Sequence, residues 1–167
     1  EAPFVYRVHE EPSFDRVSDL NMFLNNFGLR IKAKADQLHP SAFQVVLKNI
    51  EERPEERLIH RVLLRTMMRA RYSPESLGHF GLAAKFYCHF TSPIRRYPDL
   101  VIHRIIKKYL KAGKLNEKEQ SELTSYVDLA AARSSEREQL ATEAERAVES
   151  MKKAEFMADK VGQEYEG

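Results

Sequence analysis

The chain has no tryptophan, a single cysteine and only 6 glycines among its 167 residues. The lone Cys88 cannot close a disulfide within the chain, which excludes a small disulfide-stapled scaffold and makes a reducing, cytoplasmic setting the simplest expectation. Long apolar runs are missing as well. Nothing approaches the ~20 consecutive apolar residues that cross a bilayer, and the opening stretch EAPFVYRVHEEP has no apolar signal-peptide core, so no membrane partner is expected. Charge of one sign is not in excess either: 27 Lys and Arg stand against 25 Asp and Glu, a net of +2 that names no partner by itself. Internal repeats and low-complexity tracts are also absent. What remains is 43% hydrophobic and 31% charged, the balance of a folded globular unit. A unit of this size buries roughly 70% of the surface its unfolded chain exposes.

Scarce glycine and long amphipathic stretches predict a mainly α structure with a few short strands. Alternation over Phe4–His9 predicts a short strand. Ser13 is placed to cap a first helix near 14–27, with Gly28 as its left-handed stop and Phe14, Val17, Leu20, Leu24 and Phe27 on one face. Pro40 falls in the first turn of a second helix with Phe43, Val46, Leu47 and Ile50 inward. Pro54 opens a third, burying Leu58, Ile59, Val62, Leu63, Thr66, Met67 and Ala70. Helical period is lost between Arg71 and Phe90, where loop is followed by a short strand near 85–89. A fourth helix starts between Pro93 and Pro98 and ends near Gly113. Asn116 with Glu119 forms a capping box for a fifth helix. Ser135 with Glu138 repeats the signal, which predicts a break near Arg133 and a sixth helix over 136–161.

One segment concentrates chemistry: Tyr87–Arg104, YCHFTSPIRRYPDLVIHR. Thr91 and Ser92 bring hydroxyl donors. Pro93 and Pro98 favour a helix start, whose free N–H groups and positive dipole end attract anions. Arg95 and Arg96 add planar cations suited to bidentate phosphate contact. Tyr87, Phe90 and Tyr97 set aromatic rings among them, as nucleotide-handling sites do. His103 and Arg104 extend the cluster, and His103, four residues after Asp99, can pair with it on one helix face. The bland alternatives are surface arginines and structural histidines. His79 and His89 fit no zinc spacing, and one cysteine is too few for a thiolate site, so no metal ligands are assigned.

The same string resembles, nearly residue for residue, the signature near the end of the catalytic domain of the ribonuclease II/R (RNB) family. GHFGLA at Gly78–Ala83, YRVHEEP at Tyr6–Pro12 and ATEAERAVESMKKAEFM at Ala141–Met157 resemble further family segments in the same order. The resemblance covers essentially the whole chain and lies nearest the family's ribonuclease R branch. It implies that residues 1–162 are the C-terminal portion of an α+β RNB catalytic domain, and that residues 163–167 form a junction toward an OB-type RNA-binding domain. It also implies a processive 3′-to-5′ exoribonuclease that releases nucleoside 5′-monophosphates using Mg²⁺ held by clustered aspartates. Within it Arg95 would stabilise charge on the transferring phosphate, and Glu145 would stand close to the reaction. Tyr87, His89, Thr91, Ser92, Arg96, His103 and Arg104 would contact RNA or phosphate.

The family's Asp-rich metal motif has no counterpart here, since Asp15, Asp19, Asp36, Asp99, Asp128 and Asp159 are scattered. The chain is therefore expected to bind no Mg²⁺ and to be inactive alone. It should need the missing N-terminal half of the domain, and could self-associate through apolar surface which that half would cover. The alternative is a helical RNA-binding or interaction module without chemistry.

Overall fold

A computed structural model describes residues 2–32 and 38–165. The elements run β1 (Tyr6–Val8), α1 (Phe14–Asn25), α2 (Pro40–Ile50), α3 (Glu56–Thr66), β2 (Arg71–Ser73), a 3-10 turn at Phe80–Leu82, α4 (Tyr97–Ala112) and α5 (Glu117–Met157), closed by a second 3-10 turn at Ala158–Lys160. The mainly α expectation holds, with two short strands forming one antiparallel pair in the register Tyr6 with Ser73, Arg7 with Tyr72 and Val8 with Arg71.

Helix starts follow their caps. The Ser13 hydroxyl accepts from the Arg16 N–H at the head of α1. Pro40 sits in the first turn of α2, and Asn116 and Glu119 exchange both bonds of a capping box at the head of α5. Gly28 takes a left-handed φ of 69° just past α1. Two apolar clusters result. The first joins α1, α2 and α3 through Leu20, Leu24, Phe43, Val46, Ile50 and Ile59. The second packs Val5 and Tyr72 against Val101, Ile102 and Ile105 of α4 and Val127, Ala130 and Ala131 of α5. Residues 78–96 run between them. Phe80 stands edge-on to Phe43 of the first cluster and to His9 at the end of β1.

Four sequence expectations are corrected. Phe14 and Leu58 are exposed rather than buried, because each lies at the solvent margin of its helix stripe. The strand expected near 85–89 is not formed. The edge of β1 pairs with Arg71–Ser73 instead, and the later segment touches β1 through a single bond, from the Arg7 N–H to the Tyr87 carbonyl at 2.9 Å. Ser135 does not open a new helix: α5 is continuous over 41 residues, about 60 Å at 1.5 Å per residue. The Ser135 hydroxyl is drawn back to the Ala131 carbonyl at 3.0 Å and also accepts the Tyr72 N–H at 2.9 Å, so a tertiary partner takes the oxygen that would have capped. The fourth, the pairing of Asp99 with His103, is described with the site below. Beyond Thr142, α5 presents exposed side chains on every face.

Candidate functional site

The centre of the site is a turn held from beneath by one buried carboxylate. Asp99 is 0% exposed. Its Oδ2 accepts the Ser92 N–H at 2.8 Å and an Arg96 guanidinium N–H at 2.9 Å. Above it, the Ser92 carbonyl accepts the N–H groups of Arg95 at 3.2 Å and Arg96 at 3.0 Å. Residues 92–96 are thereby fixed from both sides. Asp99 is the third residue of α4, where a carboxylate complements the positive end of the helix dipole. Pro98 just before it has no N–H to offer. The start of α4 carries no side-chain cap, and the carboxylate in its first turn serves the Ser92 N–H and the Arg96 guanidinium instead.

That arrangement separates the two arginines. Arg96 is spent on Asp99, with its side chain only 21% exposed. Arg95 is exposed and has no ion-pair partner among the described residues. Ile94 beside it is 97% exposed, and Phe90 and Tyr97 also open to solvent. Arg95 therefore lies on a segment that also exposes apolar and aromatic side chains, and Thr91 is exposed on the same segment.

His103 does not pair with Asp99, whose bonds go to Ser92 and Arg96. Its Nε2 donates to the Phe90 carbonyl at 2.9 Å and its ring stacks on Phe90, with centroids 4.3 Å apart and 13° between planes. His103 thus holds Phe90 in place. Tyr87 lies edge-on between His79 and His89, at 5.0 and 5.8 Å. His89 Nδ1 meets the Tyr72 hydroxyl at 2.9 Å. Burial, then the nearby Arg96 and Arg7 cations, hold the His89 imidazole below its ordinary range. Burial, then His9, does the same at His79. Both are therefore poor proton donors near neutrality, and they serve as packed, neutral rings. Burial and Asp99 push the Cys88 thiol up, away from nucleophilic use.

Three residues of this framework were not singled out from the sequence. Arg7 on β1 bonds Glu138 of α5 at 2.6 Å and lies 4.7 Å over the Tyr72 ring. His9 accepts the Gly81 N–H at Nδ1 and donates from Nε2 to the Met68 carbonyl, at 3.0 and 2.7 Å. A Cβ at Gly81 would lie 2.9 Å from that Nδ1, which leaves room for glycine alone. The only local signal for these roles was the polar residue set in an otherwise apolar strand. Arg104 is exposed on α4, and Glu145 is exposed on the far half of α5. Glu145 is seven residues past Glu138 and so shares its face, about 10 Å further along the axis. Among the described residues, no contact brings Glu145 to Arg95.

No three His, Cys, Asp or Glu residues converge in a metal-holding group among the described residues, and Asp36 lies outside them. The donor set among the described residues does not fit the clustered-aspartate site that the resemblance implies. No helix among the described residues is long and apolar enough to cross a membrane.

A model of the RNB domain matches residues 1–112. Ribonuclease R 1 of Lactococcus lactis is 46% identical over 165 residues, which cover 99% of this chain and 20% of that protein. Among solved structures, Mycoplasma genitalium RNase R in complex with ribose methylated single-stranded RNA superposes with a TM-score of 0.89 at 27% identity, over 97% of this chain and 26% of that one. Yeast Ssd1, described as a pseudonuclease, gives a TM-score of 0.57 at 25% identity over 80% of this chain and 17% of that one. The chain spans about a fifth of the length of the first of these relatives.

Proposed function

The chain belongs to the RNB domain family, and from that premise we propose that it supplies the phosphate-gripping side of an RNA-hydrolysing active site in a 3′-to-5′ exoribonuclease that releases nucleoside 5′-monophosphates. The observation that carries this is the division of labour between the adjacent arginines. Asp99 takes Arg96 and the Ser92 N–H, and Arg95 is left exposed, with no ion-pair partner among the described residues, on a turn that those bonds hold. A guanidinium carried on that turn can meet the non-bridging oxygens of a phosphodiester through two parallel N–H bonds. Charge that develops on those oxygens during attack by water would strengthen both bonds. Thr91 and the Ser92 hydroxyl would add neutral donors beside it. Tyr87, His89 and His103 act in this reading by fixing the floor and the Phe90 wall, and Glu145 approaches only when α5 meets a segment outside this chain.

Metal chemistry, with Mg²⁺ as the expected ion, is assigned to an Asp-rich motif N-terminal to residue 1. The α4–α5 core continues past the residues matched by the family model as far as Ala131, which supports a catalytic unit longer than the match; its reach to residue 162 is part of this proposal. Of the junction at 163–167, residues 166 and 167 lie outside the described residues. Exposed Leu140, Val148, Met151 and Phe156 on α5 offer a surface for the missing half, or for a second copy in its absence. A cytoplasmic setting accords with the single half-buried thiol.

A non-catalytic module is the second reading, favoured by the shared fold with a pseudonuclease. Both are tested by incubating end-labelled RNA with Mg²⁺ and either this chain or the same chain extended N-terminally through the Asp motif. Mononucleotide release by the extended chain alone is expected. Release by the short chain would overturn the divided site, and release by neither would leave the module.

A further inference from the structure

α4 and α5 carry the same two residues at the same spacing. Tyr97 and Arg104 lie seven residues apart on α4, and Tyr126 and Arg133 lie seven apart on α5. Seven residues make nearly two full turns, so in each helix the tyrosine and the arginine share a face, about 10 Å apart along the axis. The helices run antiparallel across the short turn at 113–116. Their register is fixed by the Tyr97 and Tyr126 hydroxyls at 2.9 Å and by Lys108 with Glu119 at 3.9 Å. In that register Arg104 lies on the side of the helical turn. Arg133 lies on the opposite side, past the start of α4. The seam thus presents a row of Arg104, the tyrosine pair and Arg133, and Arg95 stands two residues before Tyr97 in the chain.

Arg104 and Arg133 are exposed and have no ion-pair partner among the described residues. Glu122, one turn before Tyr126, and Glu136, one turn past Arg133, are the acidic residues nearest the row on α5, and neither forms an ion pair among the described residues. The hydrogen bond to Tyr126 and burial push the Tyr97 phenol up, while Arg104 and Arg133 pull it down, so both cations act at the paired hydroxyls. Within the pair one hydroxyl donates to the other, which leaves one O–H to donate outward. Tyr97 is 46% exposed, leaving part of its ring open to solvent.

We propose that this seam is a second RNA subsite, which holds the ribose-phosphate backbone of a single strand along the path to Arg95. Arg104 and Arg133 each meet a phosphate, and the tyrosine pair donates between them. The Tyr97 face takes an unpaired base, which a duplex would not offer. The inference rests on the reading of Arg95 as a phosphate-binding residue.

The test is fluorescence anisotropy of a short labelled polyuridine with this chain across a salt series. Each phosphate contact on a single strand contributes about 0.7 to the slope of log affinity against log salt. Arg104→Gln with Arg133→Gln should flatten the slope by about 1.4. Replacing both arginines by Lys should keep it, which separates lost charge from lost fold. Tyr97→Phe with Tyr126→Phe should weaken binding with little change of slope. An unchanged slope in the double Gln variant, or no binding by the parent chain, overturns the subsite. If Arg95→Ala flattens the slope and the double Gln variant does not, the seam fails and the Arg95 reading stands. If the double variant flattens it and Arg95→Ala does not, the Arg95 reading fails alone.

Discussion

Replacing Asp99 removes the carboxylate that holds the 92–96 turn, and the cost follows from its surroundings. The side chain is 0% exposed and takes two charge-assisted or backbone bonds on one oxygen. Breaking a buried ion pair by deleting one partner costs on the order of 3–5 kcal/mol, because the other charge is left without compensation. Arg96 is 21% exposed at its side chain, so water recovers part of that loss and the lower end applies, about 3 kcal/mol for Asp99→Ala. For a chain of this size about 2–4 °C is lost per kcal/mol, giving a fall in Tm of about 6–12 °C by calorimetry. Asp99→Asn keeps an acceptor for the Ser92 N–H and should lose less. A double-mutant cycle with Arg96→Ala should return a coupling above about 1 kcal/mol, as residues in one ion-pair network do. A loss below that size for Asp99→Ala, or a cycle that closes additively, would refute the claim that this pair fixes the turn.

Two further outcomes rest on other contacts. Ser135→Ala strands the Tyr72 N–H where β2 meets α5, and should cost about 1–3 kcal/mol in denaturant unfolding; a change near zero would mean that the strand does not depend on this bond. His79 and His89 both titrate below the ordinary histidine value of 6.5 in the folded state, so the unfolded chain binds their protons first. Stability should be full above that value and fall as the pH drops through it toward the folded values. His89→Gln should make the dependence of Tm on pH shallower between neutral and mildly acidic conditions, and an unaltered profile would count against a buried neutral ring.

The caps and stripes were legible because they depend on neighbours in sequence. Ser13, Pro40, Asn116 and Glu119 each act within a turn of their own position. The break expected at Ser135 was wrong because the hydroxyl found a partner 63 residues away in Tyr72. Spacing likewise allowed Asp99 to meet His103, yet the carboxylate turned toward Ser92 and Arg96, and His103 went to Phe90. Local periodicity assigned both residues to one helix face. Only the fold of the 87–96 segment over that face decided which bonds formed. The two arginines of the site read alike in sequence, and the difference between them lies in a carboxylate underneath.

That difference is tested most directly by Arg95→Ala in the chain extended N-terminally through the Asp motif, comparing single-turnover hydrolysis with RNA affinity. Loss of one donor to a developing oxyanion costs roughly 10²–10³ in rate. The expected result is a fall of that order in the hydrolytic step with only a few-fold loss of affinity and an unchanged Tm. Equal losses in rate and affinity would reduce Arg95 to a binding residue, and an unchanged rate would contradict the account outright.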